Sequence, residues 1–151
     1  LLAVVPTGAH GCDYGCGPGY PLLATMLTEA GMQMETWRAS YDFLTCTEVL
    51  EHCHDPRAAL RQMTAWVRKG GKLALMTRFL RSSPIVCGSS AESFSSWFAH
   101  WRYRRDPTHI TFWSESPLRW AAANLSLPWL ELTVPQPDVV IVEVAGACNE
   151  S

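Results

Sequence analysis

The chain has 151 residues, which favours one domain over two. Hydrophobic residues make up 48% and charged residues 17%, which excludes a disordered chain; a formal charge of -2 argues against a general nucleic-acid binder, which carries a basic field. No apolar run approaches the roughly 18 residues of a membrane span, and Pro6 and Gly8 interrupt the apolar start, so neither an anchor nor a signal peptide is expected.

In chain order, Leu1 to Val5 reads as the tail of a helix stopped by Pro6-Thr7-Gly8. Ala9 to Tyr14 is a first buried strand, followed by a glycine-rich turn over Gly15 to Gly19. Leu22, Leu23, Met26, Leu27 and Ala30 fall at helical spacing, with Gly31 as the C-cap, so Pro21 to Ala30 is a helix. Met32 to Trp37 and Tyr41 to Thr47 are the next strands. Asp55-Pro56 is a strong helix start, because Asp caps free N–H groups and proline is preset for the first helical position. Leu60, Met63 and Val67 give that helix its buried stripe, and Lys69-Gly70-Gly71 ends it.

Lys72 to Thr77 is a further strand. Arg78 to Pro107 is irregular and rich in Ser and aromatics, an expected insertion or lid that reaches to about residue 110. Ser116 to Asn124 reads as a helix with Pro117 at its first position, and Leu130 to Val134 with Val139 to Val144 as a closing antiparallel pair at the sheet edge. Alternating strands and helices imply an α/β, doubly wound, mostly parallel sheet, with ligands bound beyond the carboxyl ends of the strands. The six cysteines form no CxxC pair and several lie in apolar strands, so a reduced, cytoplasmic setting without a zinc-thiolate site is expected.

The strand–turn–helix at Asp13-Tyr14-Gly15-Cys16-Gly17-Pro18-Gly19 has glycines where the backbone turns sharply and approaches a ligand at a helix N-terminus. This segment resembles the first motif of class I S-adenosylmethionine methyltransferases. Tyr41 to His52 with Asp55-Pro56 is similar to their fourth strand and following helix, and Val67 to Thr77 to their fifth strand. The resemblance implies that S-adenosylmethionine lies over Gly15, Cys16, Gly17 and Gly19, that Asp13 fixes this loop, and that Thr45, Cys46 and Thr47 line the sulfonium side. Members of the family usually have an Asp or Glu at the tip of the second strand for the ribose hydroxyls. By spacing, Arg38 stands there, while Glu35 lies inside the strand. Only Arg38-Ala39-Ser40 separates this strand from Tyr41, whereas a parallel crossover needs about a dozen residues, so residues are expected to be missing between 37 and 41.

Glu48-x-x-Glu51-His52 would share one face if a helix began there, a set suited to a divalent ion, although on spacing alone a solvated helix start is the better explanation. The pattern resembles that of ubiquinone-pathway catechol O-methyltransferases and of the enzymes that 2′-O-methylate small RNAs, where it holds a metal with a later histidine. Asp106 to Ser114 is similar to the segment supplying that histidine, which makes His109 the fourth expected ligand beside Glu48, Glu51 and His52 of a Mg, Mn, Fe or Zn ion. Without a metal, His52 or His109 could act as general base. Trp97, Phe98, Trp101, Tyr103, Phe112 and Trp113 crowd the same stretch, either as a satellite apolar cluster or as a wall for a planar ligand. Together these readings favour metal-assisted O-methylation of a catechol or vicinal diol of a small molecule. An RNA 2′-O-methyltransferase, an N- or C-methyltransferase and a non-catalytic cofactor-binding domain are the alternatives.

Overall fold

The computed structural model describes residues 1–15, 22–35, 40–80 and 94–145. Six strands form one sheet: β1 His10–Tyr14, β2 Gln33–Met34, β3 Tyr41–Thr47, β4 Val67–Met76, β5 Trp129–Gln136 and β6 Val139–Val144, in the order β2-β1-β3-β4-β6-β5. The first four are parallel, and the β5–β6 hairpin closes one edge by inserting β6 antiparallel between β4 and β5. This is the expected α/β sheet, mostly parallel with an antiparallel pair at its edge.

Strand alternation divides the core. Phe43 of β3 faces a smaller cluster with Leu27 of α1 (Leu22–Glu29), Ala9 and Met32, while Leu44 and Cys46 face a larger one. That larger core takes Leu60 and Met63 from α2 (Pro56–Trp66), Leu73 and Leu75 from β4, Leu118 from α4 (Glu115–Asn124) and Val140, Val142 and Val144 from β6. Helices therefore cover both faces. Among the described residues no helix is long and apolar enough to cross a membrane.

Asp55 caps α2 as expected: its Oδ1 accepts the N–H of Ala58 at 2.9 Å. The helix nevertheless stops at Trp66, because Val67 already pairs with Tyr41 as the first residue of β4. Residues 68–71 bulge out before pairing resumes at Phe43 and Lys72. Gly70 turns this bulge with φ +72°, and a Cβ on Gly71 would sit 2.7 Å from the Asp42 carbonyl. The bulge is fastened by Arg68, whose Nε donates to Asp42 Oδ1 at 2.5 Å.

Several local expectations are corrected. Residues 1–5 form turns rather than a helix, with the Val4 N–H on the Leu1 carbonyl at 2.8 Å. The segment expected to be irregular contains α3 (Phe94–His100) and a 3-10 turn at Arg102–Arg105; residues 81–93 lie outside the described residues. In α4, Pro117 is the third residue and not the first, a position that equally lacks an intrahelical N–H partner. The second strand is confined to Gln33–Met34, with Trp37 and Arg38 outside the described residues. Because β2 and β3 flank β1 on opposite sides, the chain crosses from one side to the other between Met34 and Tyr41.

Candidate functional site

The carboxyl ends of β1 and β3 meet side by side, with Asp13 level with Thr45. Thr45 donates its hydroxyl to Asp13 Oδ1 at 2.7 Å. Burial raises the Asp13 carboxyl above the ordinary carboxylate range, and this hydrogen bond partly offsets it. Gly15 follows in the left-handed region at φ +83°, and an added Cβ would meet Val49 at 2.6 Å, so the turn after β1 lies directly against the turn after β3. Cys16, Gly17 and Gly19 lie outside the described residues. Thr47 is half-buried at the end of β3, whereas Cys46 is buried in the larger core. Burial, with neighbouring Cys53, Glu51 and Asp13, pushes that thiol far up and leaves it inert.

Glu35 follows the end of β2 instead of lying inside it, but its carboxylate is turned away from the glycine turn. Its Oε1 is 2.7 Å from Nδ1 of His10, the first residue of β1, at the opposite end of that strand from Gly15. It is therefore not placed as the ribose carboxylate.

After β3 the chain does not begin an α-helix. Glu48 takes a left-handed φ of 54°, and Leu50–His52 form a 3-10 turn, so the expected shared helical face does not arise. A tyrosine joins the two carboxylates instead. The Tyr103 hydroxyl lies 2.9 Å from Glu48 Oε2, bonds Glu51 Oε1 and is 3.0 Å from the hydroxyl of buried Thr77. Burial raises the Glu48 carboxyl, with Glu51 adding to the rise, while Tyr103 and Arg78 act against it. Burial together with the two carboxylates holds the Tyr103 hydroxyl in its protonated form. Glu51 is wholly buried, and its Oε2 has no hydrogen-bond partner among the described residues.

His109 reaches this point because its segment is clamped to the 3-10 turn. The N–H groups of Ile110 and Thr111 both donate to the Glu51 carbonyl, at 2.9 and 3.1 Å, and the Thr111 hydroxyl donates to the Leu50 carbonyl at 3.1 Å. Ligand atoms of Glu51, His52 and His109 consequently lie within 4.8 Å of one another. Glu48 stands outside this triple, tied to it through Tyr103. Both imidazoles are oriented by backbone carbonyls: His52 Nδ1 is 3.1 Å from Thr108 O, and His109 Nδ1 is 2.7 Å from Tyr103 O. A carbonyl only accepts, so each Nδ1 carries a proton and each ring turns its Nε2 away from that carbonyl.

A column of rings leads outward from His109. Its ring centroid is 4.0 Å from that of Tyr103, which is 5.2 Å from Trp101; Trp101 in turn stacks on Trp97 at 5.3 Å and leans on Phe98 and Phe112. Trp113 is separate, buried in the larger core. Of the site's side chains, Tyr103 is the one whose role the sequence did not disclose. Its only sequence signal is its place in the aromatic crowd beside Asp106 to Ser114.

Residues 1–127 match the protein family described as methyltransferase domain. No curated protein sequence is significantly similar to the chain. Among solved structures, the complex between the Haloferax volcanii Trm112 methyltransferase activator and a methyltransferase is similar, with a TM-score of 0.60 at 16% identity over 97% of this chain and 87% of that one. A SAM-dependent methyltransferase of Thermotoga maritima has a TM-score of 0.56 at 14% identity, covering 97% and 86%. A phosphoethanolamine N-methyltransferase of Haemonchus contortus, in complex with S-adenosyl-L-methionine, has a TM-score of 0.57 at 14% identity, covering 87% and 37%. At these identities the likeness is one of fold.

Proposed function

Because this chain belongs to the methyltransferase domain family, we propose that it transfers the methyl group of S-adenosylmethionine to a hydroxyl oxygen of a small molecule, a catechol or vicinal diol, with a divalent ion held by Glu51, His52 and His109. The observation that carries the oxygen acceptor is the pairing of a wholly buried carboxylate, one oxygen without a hydrogen bond, with two imidazoles whose Nε2 atoms stand 3.9 Å from Glu51 Oε1 and 3.8 Å from Asp106 Oδ2. That donor set suits Mg, Mn, Fe or Zn. The carbonyls behind both Nδ1 atoms supply the outer support that metal-binding histidines characteristically have. Bound there, a divalent ion lowers the pKa of an acceptor hydroxyl.

The chain's own residues account for the rest. Asp13, fixed by Thr45, shapes the glycine turn that Gly15 begins, and the cofactor lies over that turn beside Thr47. The acceptor oxygen attacks the methyl carbon in line as the carbon–sulfur bond breaks, releasing S-adenosylhomocysteine. The hydroxyl proton passes to solvent, because an ion held by both Nε2 atoms would leave neither imidazole a lone pair to accept it. Glu48 and Tyr103 hold Glu51 in place from behind.

Calorimetry and a methyl-transfer assay test this reading. The wild type is expected to bind S-adenosylhomocysteine and Gly17→Val to lose that binding. Catechol should be methylated in Mn²⁺ and not in excess chelator. Wild-type cofactor affinity in Gly17→Val would overturn the cofactor assignment, and chelator-insensitive transfer would overturn the metal.

A further inference from the structure

We propose that the cleft beside Glu51, His52 and His109 is the acceptor subsite, and that it takes a hydroxylated aromatic acid: a flat ring with a hydroxyl and an anionic substituent on the far side. This rests on methyl transfer to a hydroxyl at that cluster. The cleft encloses about 680 Å³ and is lined by Arg78, Trp97, Trp101, Arg102, Tyr103 and His109 among others, a volume suited to a small molecule. Tyr103 and His109 belong both to the cleft and to the carboxylate–imidazole cluster, so the two are continuous.

Each part of the wall selects one part of the ligand. The Trp97–Trp101 stack and the Tyr103–His109 contact form a continuous aromatic side, against which a flat ring lies face-on or edge-on. Arg102 is exposed and forms no ion pair among the described residues, whereas Arg78 acts on the Glu48 carboxyl. A guanidinium without a carboxylate at the mouth of an aromatic cleft is suited to a carboxylate or phosphate. Asp106 also lines the cleft, but it faces its own turn. Its Oδ1 accepts from the Thr108 N–H and hydroxyl at 2.9 and 2.6 Å, and its Oδ2 is 3.8 Å from His109 Nε2. A ring anchored by its anionic group at Arg102 and stacked on the tryptophans directs a hydroxyl on its opposite side toward His109.

The test is titration of the whole protein, with and without S-adenosylhomocysteine, using 3,4-dihydroxybenzoate, catechol and a short oligoribonucleotide with a free 3′ diol, read by calorimetry and tryptophan emission. The acid is expected to bind about tenfold or more tightly than catechol, since one charge-assisted contact is worth that much. Arg102→Gln should abolish the difference by weakening binding of the acid. Equal affinity for acid and catechol, or an acid preference that survives in Arg102→Gln, overturns the proposal, as does tighter binding of the oligoribonucleotide. Cofactor product binding without acid binding overturns the cleft assignment alone. Arg102-dependent acid binding without cofactor product binding would leave the cleft assignment standing and overturn the proposed methyl transfer.

Discussion

Glu51 joins an unfavourable position to a proposed role. A wholly buried carboxylate with one unpartnered oxygen, next to a second carboxylate on Glu48, costs stability unless a cation or proton offsets it. Glu51→Gln keeps the shape and removes the charge. The metal-free variant is therefore expected to melt no more than about 2 °C below the wild type, or above it. Mn²⁺ should raise the wild-type Tm and leave that of the variant unchanged. Scanning fluorimetry measures both, and a large drop in the metal-free variant would make the carboxylate structural instead. At this scale Glu51, His52 and His109 were legible because their spacing resembles a known pattern. Tyr103 was not, since its work depends on the packing that brings a later segment over β3.

Among elements, local chemistry was legible where one residue type has one physical use. Asp55-Pro56 starts α2, and the apolar run Tyr41–Thr47 is the central strand β3. Reading failed where pairing overrode periodicity: Val67 fits the α2 stripe but is drawn into β4 by Tyr41. Likewise no helix brings Glu48 and Glu51 together: Glu48 adopts a left-handed conformation and Tyr103 bridges the carboxylates. The connection after β2 is of another kind. The sheet order requires a crossover over β1 between Met34 and Tyr41, and the stretch 35–40 is shorter than the roughly dozen residues that parallel strands ordinarily need for one. Glu35, held by His10, does not supply the ribose carboxylate. We expect the native message to encode about ten further residues here, an acidic one among them. Sequencing the transcript across the codons for residues 34–41 checks this, and an uninterrupted reading through them overturns it.

For the molecule as a whole, the buried acids predict how stability varies with pH. Asp13 and Glu48 are raised from ordinary values of 3.8 and 4.5, so the stability they contribute is present below those values and lost as pH rises through their folded-state pKa values. Asp42 and Asp106 are lowered from 3.8, Asp42 chiefly by its hydrogen bond from Arg68 and Asp106 by those from Thr108. Their contribution is present above 3.8 and lost as pH falls through their folded-state values. The two trends cross in mildly acidic solution, so the metal-free protein is expected to be most stable near about pH 4–5 and to soften toward neutrality. A divalent ion reverses the softening toward neutrality. Carboxylates and imidazoles bind it only when deprotonated, and binding to the folded state alone adds stability that grows with occupancy. With millimolar Mn²⁺ the optimum should move toward neutral pH, and the gain over the chelated sample should be larger at pH 7.5 than at pH 5. Melting curves from pH 4 to 8, with Mn²⁺ and with chelator, decide the matter. Parallel profiles would mean that no ion binds at Glu51, His52 and His109, and the case for a metal-assisted hydroxyl acceptor would fall with them.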